Sequence, residues 1–114
     1  AYDPEGLKTQ KEREEKAKER IFSLLSEDQK KELMSLFDEF EAYETAESRF
    51  AHSMDNFQPL LLNSSNDGGD WKEHDVDAKT VYSRQNKTAL GSEKLFEVTD
   101  RILKEHIEKG HIRP

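Results

Sequence analysis

Ala46, Phe50, Met54, Phe57 and Leu61 follow one another at steps of four, four, three and four. That spacing lays an apolar stripe along one side of an α-helix, and it is incompatible with the period of two that a half-buried strand requires. The same rhythm marks four other stretches. From Leu7 to about Leu25, Ala17, Ile21, Leu24 and Leu25 share a face while Lys and Glu fill the other. Leu33, Leu36, Phe37, Phe40 and Tyr43 form the stripe of a second helix, which Ser26-Glu27-Asp28-Gln29 opens as a capping box. Val76 and Val81 bracket a helix capped by Asp77 and ending near Asn86. Ser92 opens the last helix, in which Leu95, Val98, Thr99, Ile102 and His106 line up until Lys109-Gly110 stops it. No strand pattern and no internal repeat appear. The expectation is an all-α bundle of about five helices.

Punctuation between the helices is polar. Asp3-Pro4 and Gly6 predict a loop over residues 1–6, and Thr45 caps the third helix. The stretch 63–70, rich in Asn, Ser, Asp and Gly, predicts one long loop that excludes helix and central strand, with Trp71 anchoring its end. The start, Ala1-Tyr2-Asp3-Pro4, lacks an initiator Met and reads as the middle of a longer polypeptide.

Composition removes several functions. Cysteine is absent, so disulfide scaffolds, thiol nucleophiles and cysteine zinc sites are excluded. With 25 acidic against 18 basic residues the net charge is −7, which opposes non-specific nucleic-acid binding and anionic membranes. The longest aliphatic run, Leu60-Leu61-Leu62, is far too short to span a bilayer. No phosphate-binding glycine loop, nucleophile elbow or calcium loop is present.

A few residues carry chemistry. Asp55 lies between Met54 and Phe57 in an amphipathic helix, with Pro59 four positions on. Proline offers no N–H to the Asp55 carbonyl, so a kink and a cavity beside the carboxylate are expected. On pattern alone Asp55 is either a hard oxygen ligand or an exposed helical acid. His52 stands one turn earlier, and His-x-x-Asp can place both groups on one metal, although packing is the better reading. His74-Asp75 is a literal doublet in a loop and reads as surface. Glu44 and Glu47 flank the Thr45 turn: Glu47 suits the positive first turn of its helix, and acid/base work would need one of the pair desolvated. Arg49 and Arg84 are able to clamp phosphate but read as surface arginines. The region 63–75 is a gate or partner surface at most, and an ordinary solvated loop otherwise. Phe37, Phe40, Phe50 and Phe57 read as core.

The block Phe40-Glu41-Ala42-Tyr43-Glu44-Thr45-Ala46-Glu47-Ser48-Arg49-Phe50-Ala51-His52-Ser53-Met54-Asp55-Asn56-Phe57 resembles the closing part of HD-superfamily metal-dependent phosphohydrolases, in the branch that includes 5′-deoxynucleotidases. Gln58-Pro59-Leu60-Leu61-Leu62-Asn63, the glycine loop, Trp71-Lys72-Glu73-His74 and Gly91-Ser92 extend the likeness over most of residues 7–110.

The resemblance implies an HD-like helical fold and a divalent metal (Mn, Co, Fe, Mg or Zn) held by a first histidine, a later His-Asp doublet and a final aspartate. Asp55 matches the final aspartate; the other ligands would precede residue 1. Residues 1–114 would then be the C-terminal portion of a single HD domain, inactive alone, within an enzyme that hydrolyses small phosphate monoesters such as nucleoside 5′-monophosphates. Glu47 would brace the site by pairing with a basic group. The resemblance also implies a cytoplasmic setting and allows a homodimer. The competing reading is a non-catalytic helical interaction module, which requires a self-contained core with no apolar face left bare.

Overall fold

The computed structural model describes residues 3–114. Among these described residues there are eight helices: α1 (Pro4–Lys8), α2 (Gln10–Phe22), α3 (Glu27–Ala42), α4 (Ala46–Ser65), α5 (Gly69–Glu73), α6 (Ala78–Gln85), α7 (Thr88–Gly91) and α8 (Glu93–Glu108). The five of eight residues or more are the five that the periodicity predicts. Among the described residues the only β feature is an isolated bridge between Asp77 and Arg113. None of their helices is long and apolar enough to cross a membrane.

Two expectations of loop are corrected. Residues 4–8 are helical because Asp3 caps them, its Oδ1 accepting the Glu5 N–H at 3.1 Å, with Pro4 in the position a helix start tolerates. Residues 1 and 2 lie outside the described residues. The stretch 63–70 is no long loop: α4 continues to Ser65, and α5 begins at Gly69. Side chains that usually break helices are satisfied locally. Ser65 Oγ donates to the Leu62 carbonyl, Asn63 Oδ1 accepts the Asp70 N–H, and Asn66 Oδ1 accepts the Gly69 N–H.

The chain divides into two compact units, Ala1–Glu41 and Ala42–Pro114. In the first, Lys18 is buried between Glu15, at 2.9 Å, and Asp38, at 3.1 Å, with its ammonium 5.3 Å from the Phe37 ring centre. The hydrogen bonds it donates to Glu15 and then to Asp38 hold its pKa above the ordinary lysine value. Phe22 and Phe37 meet edge to face at 6.1 Å.

In the second unit, α4 packs on α7 and α8, and α8 on α6 and α7. Leu60, Trp71, Val76, Val81, Leu103 and Ile112 form its apolar core, each fully buried large side chain contributing about 1.5–3 kcal/mol. Thr45, Asp77 and Ser92 cap α4, α6 and α8 as expected, each side chain accepting an N–H three residues on. Gly110 takes φ +74° just beyond α8, the left-handed conformation that the Lys109-Gly110 stop calls for. The returning end is tied down: Arg113 donates its N–H to the Val76 carbonyl and its guanidinium to the Asp75 carbonyl, which buries Ile112.

A second contact shapes this unit. Buried Ser53 Oγ lies 2.9 Å from the Arg49 carbonyl and 2.8 Å from the Thr88 carbonyl, bridging α4 to α7. A Cβ on Gly91 would collide with that hydroxyl and with the Arg49 carbonyl, so only glycine admits the approach.

Candidate functional site

Helix α4 runs unbroken through Pro59, leaving the Asp55 carbonyl without a helical N–H. Asp55 itself is exposed. With about 100° per residue around the helix, its carboxylate falls between two unlike strips. On one side lie Phe50, Met54, Leu61 and Leu62, exposed by 49%, 42%, 42% and 60%. The sequence places Phe50 in a core; in this chain it is a bare apolar surface. On the other side lie His52 and Asn56, which line a cavity of about 340 Å³ completed by Tyr43, Ser83, Arg84 and Lys87.

The cavity is assembled from three separate stretches. Tyr43 sits in the turn before α4 at φ +62°, a left-handed backbone that a tyrosine seldom adopts. Arg49 Nε donates to its carbonyl at 3.2 Å and holds that turn. The Tyr43 ring stacks on His52 with centres 4.0 Å apart, and Lys87 Nζ stands 5.7 Å from its centre. Burial and then the negative charge of Asp55 push the Tyr43 hydroxyl above its ordinary pKa, so the phenol stays protonated at neutral pH.

The other sequence candidates scatter. Glu47 is exposed in the first turn of α4, where its charge favours the helix dipole. His74 and Asp75 are exposed, and Asp75 Oδ1 pairs with Arg113 Nε at 2.9 Å, a structural tie. Arg84 does reach a cavity, whereas Arg49 acts on the Tyr43 backbone. Tyr43, Asn56 and Lys87 escape a reading by spacing. The one available signal is Arg84 and Lys87 three residues apart, both aligned toward a helix end in an acidic chain.

A divalent cation needs several donors. Among the described residues no three His, Asp or Glu side chains converge on a metal-sized position. Asp55 offers one hard, accessible carboxylate, a donor of the kind such a cation accepts.

The family model described as HD domain matches residues 1–96. Among curated proteins none matches the chain. The crystal structure of a predicted metal-dependent phosphohydrolase from Magnetospirillum magnetotacticum MS-1 is similar, with 39% sequence identity and a TM-score of 0.87. That match covers 93% of this chain and 54% of the other, so the chain spans about half the length of that relative.

Proposed function

The chain belongs to the HD domain family, and from that premise we propose that it forms the closing part of a metal-dependent phosphohydrolase in which Asp55 supplies one metal ligand. The observation that carries this reading is the setting of Asp55, an accessible carboxylate between a bare apolar strip and a cavity lined by hydrogen-bond donors. The apolar strip suits the packing of family helices bearing the histidine ligands. Ile21, Leu24, Leu33 and Leu36 in the first unit are exposed as well, Leu24 by 82%. A self-contained interaction module would have covered these side chains, which counts against that alternative.

A bound divalent cation would lower the pKa of its water and stabilise charge on the phosphoryl group. The chain's own residues would do the rest. Asp55 would orient the cation's position from α4, and Arg84 and Lys87 would oppose the charge of an anionic substrate. Small phosphate monoesters, nucleoside 5′-monophosphates first among them, are the substrates this reading favours, in a cytoplasmic enzyme without a nucleic-acid or membrane partner; the family allows a homodimer.

The test uses the longer polypeptide that carries this segment together with the family's histidines. Nucleoside 5′-monophosphates are offered with Mn, Co, Fe, Mg or Zn. Metal-stimulated phosphate release is expected, and Asp55→Ala should reduce it by about a hundredfold or more, the scale on which metal-site disruption acts. Undiminished activity in Asp55→Ala would remove Asp55 from the site. Residues 1–114 alone should release no phosphate.

A further inference from the structure

We propose that the cavity bounded by Tyr43, His52, Asn56, Ser83, Arg84 and Lys87 is an oxyanion site that takes the phosphate group of a phosphate monoester. All six lining residues carry an N–H or O–H donor, that of Ser83 being given to the Thr80 carbonyl at 2.7 Å, and none is a carboxylate. Two are permanent cations. In a chain of net charge −7, a six-residue lining with two cations and no acid runs against the composition. Donors outnumber acceptors around the space, the Asn56 amide oxygen being the lining side-chain atom confined to accepting, and that balance suits a ligand that only accepts hydrogen bonds, as phosphate does.

The walls are held in place. Gly91 and the Ser53 bridge draw α7 against α4, which sets Lys87, the residue before α7, across from His52 and Asn56. The Arg49 bond to the Tyr43 carbonyl fixes the aromatic wall. At about 340 Å³ the space exceeds a phosphate ion and leaves room for a pentose-sized remainder. A guanidinium presents its donors in a planar fork that matches two phosphate oxygens, and Lys87 adds a point charge. Asp55, beyond the lining, opposes the anion until a cation neutralises it. The inference takes its ligand class from the hydrolase reading; the cavity's donor set stands without it.

The experiment is a titration of this chain, followed by amide ¹H–¹⁵N spectra, with inorganic phosphate, ribose 5-phosphate and, as a phosphate-free control, adenosine. Saturable shifts are expected around residues 43, 52, 56 and 83–87 with both phosphates, tighter for the ester, and none with adenosine. Arg84→Gln with Lys87→Gln should weaken binding by about tenfold or more, the scale of lost charge-assisted hydrogen bonds. Both side chains are exposed, so the variant's spectrum should remain that of the folded chain. Asp55→Asn should keep or strengthen phosphate binding. No saturable shift, a shift indifferent to the double variant, binding by adenosine alone, or inorganic phosphate tighter than the ester would each overturn the proposal. Phosphate binding here with no metal-stimulated hydrolysis in the longer polypeptide would sink the hydrolase reading alone. Asp55-dependent hydrolysis there without phosphate binding here would sink this inference alone.

Discussion

Gly91 shows how one absent side chain sets a spacing. A methyl at that position meets the Ser53 hydroxyl and the Arg49 carbonyl, and the carbonyl belongs to helical backbone that cannot yield cheaply. Gly91→Ala should therefore lower stability by about 1–3 kcal/mol, as overpacking does, read as a shift in urea midpoint. An unchanged midpoint would mean that α7 is free to move off α4. His106 is the other residue with a measurable signature. It is buried, with Nε2 3.0 Å from Ser64 Oγ, Nδ1 2.9 Å from His111 Nδ1, and the Trp71 ring edge-on at 4.9 Å. One of the two facing nitrogens must be bare. Burial first, then the charges of His111 and Lys109, hold its pKa below 6.5, outweighing the opposite pull of Glu105 and Asp67. The unfolded chain thus binds a proton that the folded chain refuses. The stabilisation is complete above pH 6.5 and is lost as pH falls toward the depressed value. Unfolding free energy should fall by up to about 1.4 kcal/mol per pH unit in that window, and His106→Gln should flatten the slope. An equal slope in His106→Gln would assign the effect elsewhere.

At the scale of elements, the caps are where local chemistry decides. Thr45 Oγ1 accepts the Ser48 N–H at 3.1 Å, so Thr45→Ala should cost about 1 kcal/mol in thermal or urea unfolding. A negligible change would show that packing alone starts α4. Thr45, Asp77, Ser92 and Gly110 are readable in the sequence because each acts within one turn of its own position. The five long helices are readable because their apolar periods repeat. The short helices α1, α5 and α7 are not, since each rests on a particular bond or approach: Asp3 to Glu5, Asn66 to Gly69, Gly91 against Arg49. The stretch 63–65 looks like loop by composition but joins α4, with Ser64 bonding across to His106, forty-two residues away. Asp55 can be picked out by its place beside Pro59 and by the family pattern. The cavity beside it cannot, because its lining comes from residues 43, 52–56 and 83–87, and no spacing rule links them. Phe50 misleads for a related reason. Its helical stripe is real, but periodicity gives a face without saying what covers it.

For the molecule as a whole, bare apolar side chains coexist with a net charge of −7 and a pI near 5.1. Charge repulsion keeps such surfaces apart, and it vanishes at the isoelectric point. Light scattering should rise as the pH approaches about 5, and a dye that fluoresces on apolar surfaces should bind the folded chain at neutral pH. Folded protein that neither scatters nor binds dye would mean those side chains are shielded in solution. Association and the His106 effect separate by concentration, since only the first depends on it. The joint between α4 and α7 bears on redesign. Ser53, Thr88 and Gly91 hold the frame, whereas Ser83, Arg84 and Lys87 project from it and are exposed. The frame and the positions proposed to meet the ligand are therefore different residues. A library that randomises residues 83, 84 and 87 can explore new ligands while the supporting architecture stays as it is, much as interchangeable bits fit one drill chuck.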